Sequence, residues 1–447
     1  MADAVPPLPR RGARDVTRRV LFCTQTAHVW GGLEVWLDEV APFLAGRGWE
    51  PVAGLARGRR FHDPAAYRAA HPHLKSVEID GRLGTREARV AALRKTLREV
   101  RPDVVVPINI ADTLEAVALE KLAGSNVRLL VMLRSIQPHG ELEDLRRWRD
   151  FVDVAVGGNR LRRELLAAWS RIPEERIRYI PTGSRRRTSD ARIPRPGDRI
   201  RLAYVGRLEE SEKRALDLIG VADALDRRGI AYDLRIAGDG PARETLARAL
   251  GDRATFLGKL SVDALYATLF PALDALLLFS TAEAGPQVVW QAMHYGVVPV
   301  VSAYRGLRAE NVLRDGQTAL VFPVGDAEAA AAQIERLVRE PGLLTSIAAA
   351  AERAVDPAYL LDHAFEQWLR ALEDAVTMPI ATGALPPRAP SGLIERLRVP
   401  PGAAYAVRRV LGRLPEPRGP GDEWPHHGGI DGETERRIDE LMTELDR

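Results

Sequence analysis

The chain has 447 residues, and at about 150 residues per domain this length predicts two or three domains. Its 64 basic and 61 acidic side chains give a net charge of only +3, which argues against a dedicated nucleic-acid-binding protein. The single cysteine, Cys23, excludes an intramolecular disulfide framework and a cysteine-cluster zinc site. Apolar runs stay far below the ~18 residues of a membrane-spanning helix, and residues 1–18 read as a flexible tail without a signal peptide. We therefore expect an intracellular multi-domain protein.

Residues 19–183 alternate short aliphatic runs with longer amphipathic segments. Apolar strands separated by helices are typical of a parallel sheet buried on both faces, so this pattern predicts a doubly wound, Rossmann-like α/β domain. The seven predicted strands begin at Arg19, Pro51, Lys75, Asp103, Arg128, Val152 and Ile177.

A linker and a second domain follow. Seven arginines, two prolines and no strand-length apolar run occupy residues 184–201, which indicates an exposed Arg/Pro-rich linker over 184–200. A second α/β series fills residues 201–356, with predicted strands beginning at Arg201, Tyr232, Ala254, Asp274, Val297 and Ala319.

After residue 356 the alternation of strands and helices ends. Residues 357–378 have the apolar spacing of one long amphipathic helix. Residues 379–447 contain two Pro-Pro pairs, Gly-Pro breaks and a charged final helix, which predicts a weakly ordered tail. Two doubly wound domains in succession place a cleft where the carboxyl ends of both sheets face each other, and ligands of open α/β sheets bind at that edge.

Three motifs follow strands at this edge. Gly31 and Gly32 lie between a strand and a helix, where backbone amides can approach a phosphate; a plain turn is the alternative. Arg207 and Lys213 follow the first strand of the second series and can neutralise a diphosphate; the alternative is a salt-bridge cluster with the neighbouring glutamates. Glu283 lies in a Gly/Pro loop eight residues before Gln291, and its alternative is a solvated charge.

In this order and after these strands, the three motifs resemble those of family-four retaining glycosyltransferases with the GT-B fold, the glycosyl transferases group 1. The resemblance runs from Val20 to Val376. It is strongest in five successive segments, YVGRLEESEKRALDLI, RIAGDGPARETL, FLGKLS, LLLFSTAEAGPQVVWQAMHYGVVPVVS and LRDGQTALVFPVGD. It implies two Rossmann-like domains facing a central cleft, and a crossover helix over 357–378 that returns to the first domain.

The resemblance also implies roles for individual residues. Gly31 and Gly32 would lie beside the donor phosphates, Arg207 and Lys213 would hold the diphosphate, and Gly258 would lie near the base. Glu283 and the backbone of the next four residues would contact the transferred sugar, and Gln291 would bind the ribose; those four residues are Ala284, Gly285, Pro286 and Gln287.

The chain departs from the family pattern at three positions. Gln291 stands where the family has a second acidic residue, and Ala284 stands where it has a glycine. Arg134 stands where the family often has a histidine near the donor sugar, and His139, five residues later, is the candidate substitute for it.

The resemblance implies a retaining hexosyltransferase that uses a UDP- or GDP-linked sugar as co-substrate, with no metal and no further cofactor. The acceptor would be a glycan or a lipid-linked sugar, reached in the cytoplasm or by peripheral contact with the cytoplasmic membrane face, and nucleic acid would not be a partner. One alternative is a non-catalytic GT-B protein that binds a nucleotide sugar or glycan or acts as a scaffold. Another keeps the fold for an epimerase or a phosphorylase.

Overall fold

The computed structural model describes residues 17–29, 31–187, 193, 197–387, 401–410 and 416–447. These residues form two parallel β-sheets, each flanked by helices. Each predicted strand is present, so the predicted pair of doubly wound α/β domains is confirmed.

The first sheet has seven parallel strands in the order β3-β2-β1-β4-β5-β6-β7. Its central strands are buried on both faces because their side chains are apolar without alternation, as in β1. The order reverses between β1 and β4, and the carboxyl ends of those strands frame a ligand crevice. The strands are β1 Arg18–Thr24, β2 Trp49–Arg57, β3 Ser76–Asp80, β4 Val104–Ile108, β5 Arg128–Leu133, β6 Val154–Gly157 and β7 Ile177–Tyr179.

The second sheet has six parallel strands in the order β10-β9-β8-β11-β12-β13, with its own reversal between β8 and β11. The strands are β8 Ile200–Val205, β9 Tyr232–Ala237, β10 Ala254–Gly258, β11 Ala275–Leu278, β12 Val298–Ser302 and β13 Leu320–Phe322.

Helices cover both faces of each sheet. Those of the first domain are α1 Gly32–Ala45, α2 Pro64–Ala70, α3 Arg86–Val100, α4 Asp112–Leu122, α5 His139–Trp148 and α6 Arg160–Leu165. Those of the second domain are α7 Asp217–Arg227, α8 Arg243–Leu250, α9 Val262–Ala264, α10 Gln287–His294, α11 Leu307–Glu310, α12 Ala327–Arg339 and α13 Leu343–Val355. The remaining helices are α14 Leu361–Thr377, α15 Pro401–Val410, α16 Pro420–Glu423 and α17 Gly432–Leu445.

Helix α14 leaves the second domain and packs on the first. Its Trp368 ring lies 5.0 Å from that of Trp36 on α1, and Phe365 lies 5.4 Å from Phe43. The apolar face of α14 is thus part of the first domain's core. Because this helix covers one domain and is joined to the other, it couples the positions of the two.

The linker also connects the domains through its arginines. Arg185 forms ion pairs with Glu39 of α1, at 2.6 Å, and with Asp263 of α9, at 2.8 Å. Arg187 lies 3.1 Å from Glu352 of α13. The described part of the linker is therefore tied to both domains. Its residues 188–192 and 194–196 lie outside the described residues.

The prediction of a weakly ordered tail is wrong for residues 416–447. Trp424 is completely buried in the first domain's core, together with Ile438 and Met442 of α17. The Glu423 carboxylate accepts hydrogen bonds of 2.6–2.9 Å from the backbone N–H groups of residues 59, 60 and 61. That prediction was based on the Pro and Gly content of the segment. The structure shows that a few apolar side chains and the Glu423 carboxylate hold the segment on the first domain. Residues 388–400 and 411–415 lie outside the described residues.

Among the helices that the structure describes, none has both the length and the apolar composition needed to span a bilayer.

Candidate active site

A cavity of about 350 Å³ opens between the carboxyl edges of the two sheets. Three parts of the chain line it: loops after β1, β4 and β5 of the first domain, the loop after β11 of the second domain, and the docked tail. The lining includes the charged, polar and glycine residues Gly32, Asn109, Arg134, Glu141, Asp144, Thr182, Glu283, Ala284, Gly285, Gln287 and His426. The sheets therefore place the cavity where the sequence predicts a ligand.

The glycine pair lies at the amino end of α1. Gly31 is the residue before the helix, with an extended backbone, and Gly32 is the first helical residue and lines the cavity. The first N–H groups of a helix have no partner within it, and they carry its positive dipole end. A Cβ on Gly31 would lie 2.6 Å from the Glu34 carboxylate, so a side chain there requires Glu34 to move. The amino end of α1 therefore lies at the cavity wall, beside the Glu34 carboxylate.

Lys213 and Glu283 meet from different loops of the second domain. Lys213 Nζ donates to Glu283 Oε1 at 2.6 Å, and Ser280 Oγ donates to the same oxygen at 2.6 Å. Glu283 is buried, with 6% of its surface exposed. The carboxylate is therefore fixed by a cation and a hydroxyl at the cavity wall, and it is not a solvated surface charge.

Arg207 has different partners. It lies 2.9 Å from the Glu209 carboxylate and 3.4 Å from that of Glu212, and 63% of its side chain is exposed. Arg207 thus forms the salt-bridge cluster with neighbouring glutamates that was the alternative to a diphosphate site. Exposed ion pairs of this kind stabilise the fold by about 0–1 kcal/mol, so the guanidinium can leave these glutamates for an anionic ligand with little loss of stability.

The loop after β11 lines the cavity with Glu283, Ala284, Gly285 and Gln287. Gly285 has a positive φ of 127°, and a Cβ there would lie 3.3 Å from Thr182 Oγ1 of the first domain. Gln287 begins α10 and its amide nitrogen lies 3.5 Å from the Gly183 carbonyl oxygen. These contacts bring the loop against the first domain.

Five of the predicted second-domain residues do not line the cavity, namely Arg207, Lys213, Gly258, Pro286 and Gln291. Gln291 is one turn after Gln287 on α10 and is half-buried. Gly258 ends β10 with a positive φ of 68°, and its carbonyl oxygen accepts a hydrogen bond from Gly238 N at 2.8 Å. Both therefore lie on the second-domain side, beyond the cavity itself.

A second glycine pair was missed by the sequence reasoning. Gly238 and Gly240 follow β9, and a Cβ on either would collide with the carbonyl oxygen of Gly206 or Leu208 in the loop after β8. Both have positive φ, so these two loops pack backbone against backbone next to Arg207. The signal was visible as Gly-Asp-Gly directly after a predicted strand.

The proposed substitution of His139 for the family histidine is not supported by its position. His139 begins α5, its Nε2 lies 3.2 Å from the Asp439 carboxylate of α17, and it is not part of the cavity lining. Arg134 instead lines the cavity directly after β5. The His139 ring thus faces Asp439 of the docked tail.

The first-domain wall contains three titratable residues that the sequence reasoning missed. Glu141 and Asp144 lie on α5, and His426 comes from the docked tail. Burial raises the pKa of Glu141 to about 7 and also raises that of Asp144, while burial lowers the pKa of His426. His426 was assigned to a weakly packed tail. It reaches the cavity because Ala111 N donates to the neighbouring Pro425 carbonyl at 3.1 Å.

Helix α17 also contacts the second domain behind the Glu283 loop. Asp446 accepts hydrogen bonds from Gly306 N at 2.6 Å and Ala309 N at 2.9 Å, and Asp439 pairs with Arg305 at 2.9 Å. The Arg305 carbonyl oxygen in turn accepts a hydrogen bond from Glu283 N at 3.3 Å. The tail thus supports the segment on which the Glu283 loop rests.

Within the described residues, no group of three or more His, Cys, Asp or Glu side chains lies close enough to hold a metal ion.

Comparison with known proteins finds similarity in the second domain. Residues 185–354 match the family model described as Glycosyl transferases group 1. The alpha-D-kanosaminyltransferase of Streptomyces kanamyceticus is 31% identical over 175 residues, which make up 38% of this chain and 44% of that protein. The chain thus matches less than half the length of this curated relative.

Solved structures share the fold over most of the chain. Sucrose-phosphate synthase from Thermosynechococcus elongatus superposes with a TM-score of 0.64 at 17% identity, covering 80% of this chain and 98% of that one. HepE of Anabaena, solved in complex with UDP and glucose, has a TM-score of 0.60 at 19% identity, covering 80% and 99%. The chain therefore has the GT-B fold, and its residues 185–354 are similar to the glycosyl transferases group 1.

Proposed function

We propose that this protein is a retaining glycosyltransferase that moves a hexose from a UDP- or GDP-linked donor to a glycan or lipid-linked sugar without a metal. The observation that carries the proposal is the Lys213–Glu283 pair, at 2.6 Å, whose buried carboxylate lines a cavity that both sheets face. UDP is the first nucleotide to test because the HepE structure contains it.

The donor would span the second domain and the cavity. Its diphosphate would lie between the amino end of α1, with Gly31 and Gly32, and the two cations Arg207 and Lys213. Fixed cations stabilise the negative charge that develops on a leaving diphosphate, which is the task a metal performs in other sites. Glu283 and the backbone of Ala284 to Gln287 would contact the sugar.

The reaction needs few protein groups. The bond from the anomeric carbon to the diphosphate oxygen breaks, and a bond to the acceptor oxygen forms on the same face of the sugar. The acceptor hydroxyl gives its proton to the departing phosphate oxygen, so no protein base is required. The protein then positions the reactants, neutralises the leaving group and excludes water. The acceptor would enter from the first-domain wall, at the cytoplasmic membrane face if it is lipid-linked.

The rival function is nucleotide-sugar binding without transfer. Gln291 favours it, because an amide keeps one acceptor where a carboxylate can bind both ribose hydroxyls more strongly. Binding without turnover across a broad set of acceptors would support this rival.

Calorimetric titration with UDP, GDP and ADP tests the proposal. We expect one nucleotide to bind selectively, and the Arg207→Ala variant to bind it about tenfold more weakly because one charged contact is lost. Absence of binding for all three nucleotides would contradict the transferase and favour a scaffold.

The Gln291→Glu variant tests the proposed ribose contact. We expect it to bind the selected nucleotide more tightly by about 1 kcal/mol, since a charged acceptor replaces a neutral one. The same titration measures it, with Gln317→Glu on an exposed turn as the control. An unchanged affinity would remove Gln291 from the proposed ribose site.

A further inference from the structure

Arg134 is an arginine whose charge has no counter-ion among the described residues. It lies directly after β5 and lines the cavity together with Thr182, Glu283 and Gly285. It thus stands on the first-domain side of the place proposed for the donor sugar. Lys213 and Arg207, proposed for the diphosphate, belong to the second domain.

The side chain is held by weak contacts. Its Nη2 donates to Thr182 Oγ1 at 3.2 Å, and its guanidinium lies over the Trp36 ring, 5.4 Å from the centroid. Nη1 is buried and, within the described part of the chain, has no hydrogen-bond acceptor. Leaving a buried charged donor unpaired is costly, so the site gains from a ligand that provides an acceptor.

The charge itself is uncompensated. Burial alone lowers the pKa of Arg134 to about 10, so the guanidinium remains cationic at neutral pH. Glu141 and Asp144 line the same cavity, but they form no ion pair with Arg134 among the described salt bridges, and burial favours their neutral forms. Glu283 is already paired with Lys213. The cavity therefore presents one free cation, within the described residues, to its ligand.

The backbone of the loop that follows Arg134 is held by hydrogen bonds from a buried arginine. The completely buried Arg162 donates from Nε to the Ser135 carbonyl at 3.0 Å and from Nη2 to the Ile136 carbonyl at 2.8 Å. These two hydrogen bonds fix the backbone after Arg134, and a rotation of its side chain, which has no ion-pair partner among the described residues, would aim Nη1 into the cavity. A guanidinium fork matches the two oxygens of a carboxylate in a bidentate arrangement.

We propose that Arg134 selects a donor whose transferred sugar carries a carboxylate, as a uronic acid does. This inference rests on the proposed function, since it assigns the sugar of the same nucleotide-linked donor. A carboxylate on the sugar would satisfy Nη1 and supply the missing counter-ion. A neutral hydroxymethyl group carries no negative charge and has one oxygen, so it could neither act as the counter-ion nor accept two parallel hydrogen bonds from the guanidinium.

The experiment compares donors that differ only at that group: UDP-glucose with UDP-glucuronate, and GDP-mannose with GDP-mannuronate. The readout is the ratio of the two Kd values within each protein, which a general loss of stability does not change. The proteins are the wild type, Arg134→Gln, Arg134→Lys and, as a control for the loss of one positive charge, Arg248→Gln on the exposed face of α8.

We expect the wild type and the Arg248→Gln variant to prefer the uronate about tenfold or more, as a charged hydrogen-bond pair does over a neutral one. Arg134→Gln would lose the preference, and Arg134→Lys would keep part of it. Equal binding of both sugars by the wild type, or a preference that survives in Arg134→Gln, would overturn the inference while nucleotide binding still upheld the proposed function. Failure of UDP and GDP themselves to bind would overturn both.

Discussion

Replacing Lys213 by alanine is expected to reduce glycosyl transfer by about a hundredfold or more, because a fixed cation beside the leaving diphosphate is removed. The structure adds a second effect. Lys213 is the cationic partner of the buried Glu283, at 2.6 Å, so its removal leaves the Ser280 hydroxyl as the side-chain partner of this carboxylate among the described residues. Breaking such a pair destabilises the fold by up to about 3 kcal/mol. Initial rates and thermal melting measure the two effects.

A matched double variant separates those effects. In Lys213→Ala/Glu283→Gln the stranded charge is gone, and the amide oxygen can still accept from Ser280. We expect the Tm to recover towards that of the wild type while transfer stays abolished. Activity that returns together with the Tm would show that the stranded carboxylate, and not loss of the cation, inactivated the single variant. Retained activity in the single variant with an unchanged Tm would reject the role of Lys213 altogether.

Replacing Trp424 by alanine is expected to destabilise the first domain by about 3–5 kcal/mol, the usual range for deleting a buried tryptophan. Trp424 is completely buried, its Nε1 donates to the Arg57 carbonyl at 3.2 Å, and its own carbonyl accepts from Gln25 at 2.8 Å. Urea denaturation followed by far-ultraviolet circular dichroism measures the change.

The control for that variant is Val410→Ala, since Val410 on α15 is 85% exposed. We expect it to change the free energy of unfolding by less than about 0.5 kcal/mol. A loss below about 1 kcal/mol for Trp424→Ala would mean that the tail contributes little to the domain on which it packs.

The strands were predictable because each is a short run of aliphatic residues, and burial on both faces of a parallel sheet requires such runs. Glu283 and Lys213 were candidates from their places after strands, and the resemblance to a known family decided between their functional roles and the alternatives. Their contact joins loops that are 70 residues apart, and no local pattern encodes it.

The docking of the tail could not be predicted in the same way. Trp424 stands in a segment rich in Gly and Pro, and its partners are the Arg57 carbonyl and the Gln25 side-chain amide, more than 360 residues earlier. Sequence periodicity reports on neighbours along one helix or strand, so it carries no information on such a contact. The position of His426 was missed for the same reason, because this residue reaches the cavity only through the docked tail.

The burial of Trp424, Ile438 and Met442 in the first domain has a consequence for synthesis on the ribosome. Translation delivers the seven strands of that domain first, yet the side chains that complete its core emerge only after the entire second domain. The second domain's sheet is contiguous in sequence and can fold as soon as it is released. While the second domain is being synthesised, the first domain therefore lacks part of its core. Apolar surface that the tail later covers is exposed during this interval, and chaperones can bind it.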